Sequence, residues 1–134
     1  RRLGIAQALI GNPDIVLLDE PTAGLDPRGR DEILDQISKL HTERKMTIIL
    51  VSHSMEDVAR YAGRLIVMNH GQKVFDGTPR EVFSQVEKLK ELRLDVPQAT
   101  LLAYELQKKG FPLRDGILSN EELVEELCQL KLKM

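Results

Sequence analysis

An unbroken apolar run followed at once by two acidic residues is the feature that most constrains this chain. Residues 15–18 read Ile-Val-Leu-Leu, and Asp19 and Glu20 come directly after them. A short apolar run next to turn residues predicts a strand that is buried on both faces of a parallel sheet. In open α/β sheets, ligands bind outside the carboxyl ends of the strands. The sequence therefore predicts a buried strand that delivers two carboxylates to a ligand-binding edge.

The residues that follow predict a crossover to a second strand. Asp26 and Pro27 begin a helix, with the Asp as N-cap and the Pro at the first helical position. A second buried strand is predicted over residues 46–51, and His53 follows it. Strand, helix and strand in this order place both strand ends at the same edge of the sheet. The apolar stripe of the connecting helix comprises Ile33, Leu34, Ile37 and Leu40.

The rest of the chain changes from mixed to helical character. Residues 64–68 and 73–75 predict a hairpin joined by 69–72, and Thr78-Pro79-Arg80-Glu81 is a capping box. Beyond about residue 84 no strand-like run remains and three helical segments are predicted, the last from the capping box Ser119-Asn120-Glu121-Glu122. We therefore expect an α/β part over residues 1–83 and a helical extension over residues 84–134, with the boundary near 83–95.

Composition excludes several classes of protein. The net charge of −2 gives no support for a nucleic-acid partner. No apolar run approaches the roughly 20 residues of a membrane span, so any membrane connection is expected to run through a partner. Cys128, the only cysteine, excludes an intrachain disulfide, and its apolar neighbours predict a buried small side chain. Helical periodicity from the first residues onward suggests a fragment that begins within a helix.

The adjacent carboxylates suit phosphate chemistry. Asp19 can supply the hard oxygen that magnesium prefers when it bridges nucleotide phosphates. Glu20 can orient and deprotonate the water that attacks a γ-phosphate. Taken alone, an Asp-Glu pair after a strand is also compatible with an ordinary solvated loop.

The neighbouring residues carry a resemblance to a known family. The stretch Leu17-Leu18-Asp19-Glu20-Pro21-Thr22 resembles the Walker B motif of ATP-binding cassette ATPases, including its catalytic glutamate. Gly24-Leu25-Asp26 resembles the D-loop of that family, and Ser52-His53 resembles its switch histidine. Arg1-Arg2 and the helix after them look like the residues that follow the family's signature loop. The resemblance covers residues 1 to about 83 and implies the C-terminal part of a P-loop NTPase, RecA-like core with a parallel sheet and a β-hairpin.

The resemblance implies a role for each residue of the site. Glu20 is expected to be the general base, Asp19 to serve magnesium, through water, and His53 to contact the γ-phosphate of ATP. Asp26 is expected at the subunit interface of a head-to-tail dimer. His41 and His70, in a helix end and a turn, are given structural roles instead.

The phosphate-binding half of such a site is missing from the sequence. A phosphate-cradling loop requires G-x-x-x-x-G-K-[ST], and the nearest match, residues 24–29, is followed by Arg30-Asp31 and belongs to the D-loop. The glutamine loop and the signature loop are also absent. We therefore predict that this chain alone neither binds ATP tightly nor hydrolyses it, although the full-length protein is expected to be an ATPase.

The helical extension resembles one branch of the family. Residues 92–103, Lys109-Gly110-Phe111-Pro112 and the closing Glu-rich helix look like the end of energy-coupling factor transporter ATPases. This resemblance implies an importer of a vitamin, cobalt or nickel at the cytoplasmic face of the cell membrane. It implies as partners a second ATPase subunit, a membrane coupling protein and a substrate-binding membrane component.

Other readings remain open on the sequence alone. One is a non-transport cassette ATPase of DNA repair or chromosome organisation, although no heptads or cysteine pairs support it. Another is a non-enzymatic module that acts by dimerisation. The extension itself could be a lid over an apolar face of the core rather than an interface. The transported substrate, and whether the ATPase pairs with itself, are not encoded here.

Overall fold

A computed structural model describes residues 2–133, and its α/β architecture confirms the predicted fold class. The chain forms two compact units, Arg1–His53 and Ser54–Met134. The first unit contains helix α1 (Arg2–Ala8), strand β1 (Ile15–Asp19), helix α2 (Pro27–Arg44) and strand β2 (Thr47–Val51). The second contains α3 (Met55–Tyr61), β3 (Leu65–Asn69), β4 (Gln72–Gly77), α4 (Pro79–Phe83), α5 (Val86–Glu91), α6 (Gln98–Lys108) and α7 (Asn120–Lys133).

The first unit contains the predicted crossover. Strands β1 and β2 pair in parallel, from Ile15 opposite Thr47 to Asp19 opposite Val51. Helix α2 connects them and buries three of the four residues of its predicted stripe, namely Ile33, Leu34 and Ile37. The carboxyl ends of both strands therefore lie at one edge, as expected.

Neither strand is buried on both faces, so that prediction was wrong. Val16 and Leu18 of β1 are buried, whereas Ile15 and Leu17 are 61% and 64% exposed. In β2, Ile49 and Val51 are likewise exposed. Successive side chains of a strand point to opposite faces of the sheet, and an unbroken apolar run therefore needs a covering layer on each face. Among residues 2–53, α2 supplies that layer on one face, and the other face stays open.

The second unit opens with α3 and the predicted hairpin. Strands β3 and β4 pair antiparallel, and the two residues between them, His70 and Gly71, both have positive φ angles. This is the geometry of the tight turns that match strand twist in hairpins. Thr78 then forms the predicted capping box with Glu81 at the start of α4. Side chains from these elements bury the cluster Val58, Val82, Phe83 and Leu89.

The helical end of the chain has a cluster of its own. Helices α6 and α7 and the loop between them bury Ala99, Ala103, Leu113, Ile117 and Leu123. The helices predicted from residues 97 and 119 are present, whereas the first predicted helical segment is divided into α4 and α5. Leu118 packs against the hairpin cluster and directly follows Ile117 of the second cluster. The hairpin and the extension are thus continuous in packing, and the predicted boundary at residue 83 stays a prediction.

Two details of α7 differ from expectation. Cys128 is exposed rather than buried. Leu123, Leu127 and Leu130 form the face of α7 that packs inward. One residue along a helix turns by about 100°, so Cys128 is directed away from that face.

The cap of α7 is also rearranged. The hydroxyl of Ser119 accepts the N–H of Glu122, as predicted, but the Glu122 carboxylate accepts the N–H of Leu118, at 2.6 Å, one residue before the N-cap. Among the helices of residues 2–133, none combines the length and the apolar character needed to cross a membrane.

Candidate functional site

The carboxyl edge of the parallel pair brings the predicted acidic residues together. Asp19 ends β1 beside Val51, which ends β2. The ladder continues for one more hydrogen bond, because the N–H of Glu20 donates to the carbonyl of Val51 at 2.8 Å. The Glu20 carbonyl then accepts the N–H of Ala23 at 3.2 Å, which begins a turn. Glu20 is therefore held by its backbone on both sides.

Glu20 has an unusual backbone conformation. Its φ angle of 47° lies in the left-handed region, which non-glycine residues adopt uncommonly. Such conformations cost about 1–3 kcal/mol and are found most often at functional sites. Pro21 and Thr22, which follow, are buried and fix the segment after the turn. Both residues belong to the stretch that resembles the Walker B motif, but that resemblance does not predict this role.

Glu20 and His53 meet at this edge. The Nε2 atom of His53 lies 3.4 Å from Oε1 of Glu20. The Glu20 side chain is 29% exposed, whereas that of His53 is 95% exposed. A half-buried carboxylate beside a solvent-facing imidazole can share a water or a phosphate oxygen that approaches from solution. The tautomer with the proton on Nε2 directs an N–H group of His53 towards this carboxylate.

Asp19 offers a second, more open carboxylate. It is exposed at the end of β1, adjacent in sequence to Glu20. Within residues 2–133, no group of three or more His, Cys, Asp or Glu side chains could hold a metal ion. Magnesium is usually bound by one or two carboxylates together with water and phosphate oxygens. The donor set at this edge therefore fits a magnesium ion shared with a nucleotide rather than a protein-only metal site.

Asp26 has a local structural task. Its Oδ1 accepts the N–H of Gly29 at 3.1 Å and caps α2, as the sequence predicted. A Cβ atom at position 29 would lie 2.7 Å from this oxygen, so a glycine there leaves room for the cap. The interface role expected of Asp26 stays a prediction.

The other two histidines have local structural positions. Nδ1 of His41 is 2.7 Å from the carbonyl oxygen of Met46, just before β2, and His70 forms the hairpin turn. Both positions agree with the structural roles given to them from the sequence.

Comparison with protein families matches both parts of the chain. Residues 1–58 match a family model described as "AAA domain, putative AbiEii toxin, Type IV TA system". Residues 99–134 match the model of the energy-coupling factor transporter EcfA1 C-terminal domain. The second match lies within the helical extension predicted from the sequence.

Individual relatives align over nearly the whole chain. The energy-coupling factor transporter ATP-binding protein EcfA2 of Clostridioides difficile is 53% identical over 131 residues, which are 97% of this chain and 46% of that protein. The EcfA1 protein of Clostridium perfringens is 51% identical over 98% of this chain and 46% of its own length. The chain spans about half the length of the curated relatives it matches.

Solved structures agree with these relatives. A structure of cbiO1 from Clostridium perfringens, described as part of the ABC transporter complex cbiONQ, has 37% identity and a TM-score of 0.58. The match covers 68% of this chain and 36% of cbiO1. The ATP-binding cassette MJ0796, in a dimeric post-hydrolysis state with ADP and Pi, has 31% identity and a TM-score of 0.54, over 58% of this chain and 33% of MJ0796.

Proposed function

Because the chain belongs to the family of energy-coupling factor transporter ATP-binding proteins, we propose that it carries the water-activating half of an ATP hydrolysis site. The observation that carries this proposal is the approach of His53 to Glu20 at the carboxyl edge of β1 and β2. The complete polypeptide is defined as this chain joined to the part of its relatives' sequence that it does not span.

We assign each residue the task that its position allows. Glu20, half-buried and held by its backbone, removes the proton from the water that attacks the γ-phosphate. The water oxygen bonds to the γ-phosphorus, the bond from that phosphorus to the bridging oxygen breaks, and this oxygen leaves with the electron pair as part of ADP. Asp19 would hold magnesium, directly or through water, and the ion would supply positive charge to the phosphate oxygens. His53, directed to solvent, contacts the γ-phosphate and orients the same water.

The assembly proposed for the complete polypeptide is a dimer of ATPase subunits on a membrane coupling protein. The dimeric state of MJ0796 and the cbiONQ complex of cbiO1 support this proposal. Asp26 would lie at the interface of the two ATPase subunits, where its cap of α2 sets its position. Exposed apolar side chains on the helical extension offer a further contact area, comprising Leu102, Phe111, Val124 and Leu132.

The biological role that we propose is an importer ATPase at the cytoplasmic face of the cell membrane. The names of the relatives support an energy-coupling factor system, in which a separate membrane component selects a vitamin or a transition-metal ion. This chain alone would be inactive, because it has no phosphate-binding loop among its residues.

ATP turnover measured in parallel on two proteins tests the proposal. The complete polypeptide should release phosphate from ATP in a magnesium-dependent manner, and the 134-residue chain should release none above background. His53→Ala in the complete polypeptide should reduce turnover, whereas His41→Ala, at the structural histidine, should leave it close to wild type if the protein stays folded. Turnover by the chain alone, or equal effects of the two histidine substitutions, would contradict the assignment.

A further inference from the structure

Helix α6 begins without a cap from its own sequence. Pro97 occupies the N-cap position and makes no side-chain cap hydrogen bond, and the first turn contains no acidic residue. The first N–H groups of a helix have no acceptor within the helix and need one from elsewhere. Glu56 supplies it, because its Oε1 accepts the N–H of Gln98 at 2.9 Å across 42 positions of sequence.

Glu56 lies close in sequence to the proposed catalytic histidine. It is in the first turn of α3, whose N-cap Ser54 accepts the N–H of Asp57. Ser54 directly follows His53 in the chain. The residue that caps the start of α6 is therefore in the first turn of the helix that His53 leads into.

Apolar packing joins the same two elements. Val58 of α3 is buried in the hairpin cluster, and Met55 and Val96 pack against that cluster. Val96 comes immediately before Pro97, which is itself buried. Packing keeps the start of α6 near α3, and the hydrogen bond of Glu56 adds a directional contact to it. A carboxylate at a helix N-terminus is also favoured by the helix dipole.

Resting on the proposed function, we propose that Glu56 is a positioning residue that ties the helical extension to the segment carrying His53. A γ-phosphate contact at His53 would restrain the backbone of Ser54, which caps the turn that contains Glu56. The hydrogen bond to Gln98 would extend that restraint to α6. The coupling is reciprocal, so a contact that restrains the extension also restrains His53.

The test compares variants of the complete polypeptide by kinetics and by amide exchange. Glu56→Ala removes the acceptor, and we expect kcat for ATP to fall about fivefold with KM unchanged, a size that agrees with the loss of one hydrogen bond. Glu56→Gln keeps an acceptor oxygen and should restore most of kcat. In the wild type, ATP should slow amide exchange in the first turn of α6, and Glu56→Ala should abolish that effect.

Glu91→Ala is the matched control. Glu91 is an exposed glutamate at the end of α5, and its side chain makes no hydrogen bond or ion pair to any described residue. It should leave kcat and the ATP-dependent exchange unchanged. If Glu56→Ala alters only the melting temperature and not kcat, or if Glu56→Gln fails to restore kcat, the positioning role is refuted. If the wild type itself does not hydrolyse ATP, the proposed function fails instead, and faster exchange at Gln98 in Glu56→Ala still reports on the hydrogen bond alone.

Discussion

The two compact units of this chain differ in how their buried apolar side chains are arranged. In the first unit, α2 covers one face of the β1–β2 sheet, and Ile15, Leu17 and Ile49 remain exposed on the strands. In the second unit, two apolar clusters are neighbours through Ile117 and Leu118. Hydrogen bonds between distant positions, such as Thr100 to the Ile117 carbonyl at 2.6 Å, add to this packing.

The proposed catalytic residues and the two neighbouring apolar clusters therefore belong to different units. The unit that carries Asp19, Glu20 and His53 has an open face on its parallel sheet. In the unit that follows His53, the two clusters give the packing expected of a stably folded unit. The proposed catalytic edge lies on a half-covered sheet and depends on additional structure for its rigidity, because parallel sheets are stable when both faces are covered.

Separating the units should give the largest effect. Residues 54–134, expressed alone, should unfold cooperatively with heat, as judged by circular dichroism. Residues 1–53 should show no cooperative transition, since parallel sheets are stable when both faces are covered and Ile15 and Leu17 are exposed on one face here. Cooperative unfolding of residues 1–53 would remove the contrast between the units.

Truncation of one side chain in each unit should change the free energy of unfolding by different amounts. Phe83 is 1% exposed in the hairpin cluster, and Phe83→Ala should lower the free energy of unfolding by about 3–5 kcal/mol. Leu17→Ala, at an exposed position of β1, should change it by less than about 0.5 kcal/mol in this chain. Urea unfolding measures both, and a large cost for Leu17→Ala here would show that the open face is covered after all.

A smaller effect is expected at the ionic contacts of the second unit. Arg80 donates to the Gly116 carbonyl at 2.6 Å and to Glu122 at 2.7 Å. Arg80→Ala leaves both acceptors without this donor and should cost about 1–2 kcal/mol. Arg44→Ala is the control, because Arg44 is exposed and makes no hydrogen bond or ion pair to any described residue. Equal melting temperatures of the two variants would contradict the assigned role of Arg80.

Acid should weaken the same contact. Partial burial by itself raises the pKa of Glu122, but hydrogen bonds from Arg80 and the Leu118 N–H, with the charges of Arg80 and Arg114, outweigh it and lower the pKa. The stabilisation is therefore present above the unfolded pKa of 4.5 and is lost as the pH falls below it through the folded value. Glu122→Gln should unfold with a flatter pH dependence below 4.5 than the wild type. Identical acid profiles would show that Glu122 is not perturbed.

The smallest effect is expected at Cys128. Because this side chain is exposed on α7, Cys128→Ser should change the free energy of unfolding by less than about 0.5 kcal/mol. A thiol reagent should modify Cys128 in the folded chain without denaturant. Slow labelling that needs unfolding would instead support the buried position that the apolar neighbours of Cys128 suggested.

Much of the fold could be predicted because the signals are local. The capping box at Thr78, the Asp26-Pro27 helix start and the His70-Gly71 turn each need only a few adjacent residues, and the structure contains all three. The placement of Glu20 and His53 at one edge could also be predicted, since parallel strands joined by a crossover end on the same side.

The remaining features depend on the residues that a side chain meets in space rather than on its neighbours in the sequence. The apolar run at residues 15–18 predicts two buried faces, but burial is decided by the layers present. Cys128 has apolar neighbours along the chain and still points outward, because helical rotation separates it from Leu127. The contact of Glu56 with Gln98 joins positions 42 residues apart and has no signal in the local pattern.

Glu20 is the proposed base of the ATP hydrolysis site, and its substitution in the complete polypeptide shows whether it has that role. Phosphate release from ATP should fall by a factor of about 100 or more in Glu20→Gln, while the variant still accumulates an ATP-bound dimer. Glu43→Gln makes the same chemical change at an exposed position of α2 and should match the wild type. Near-normal phosphate release by Glu20→Gln would show that Glu20 is not the base.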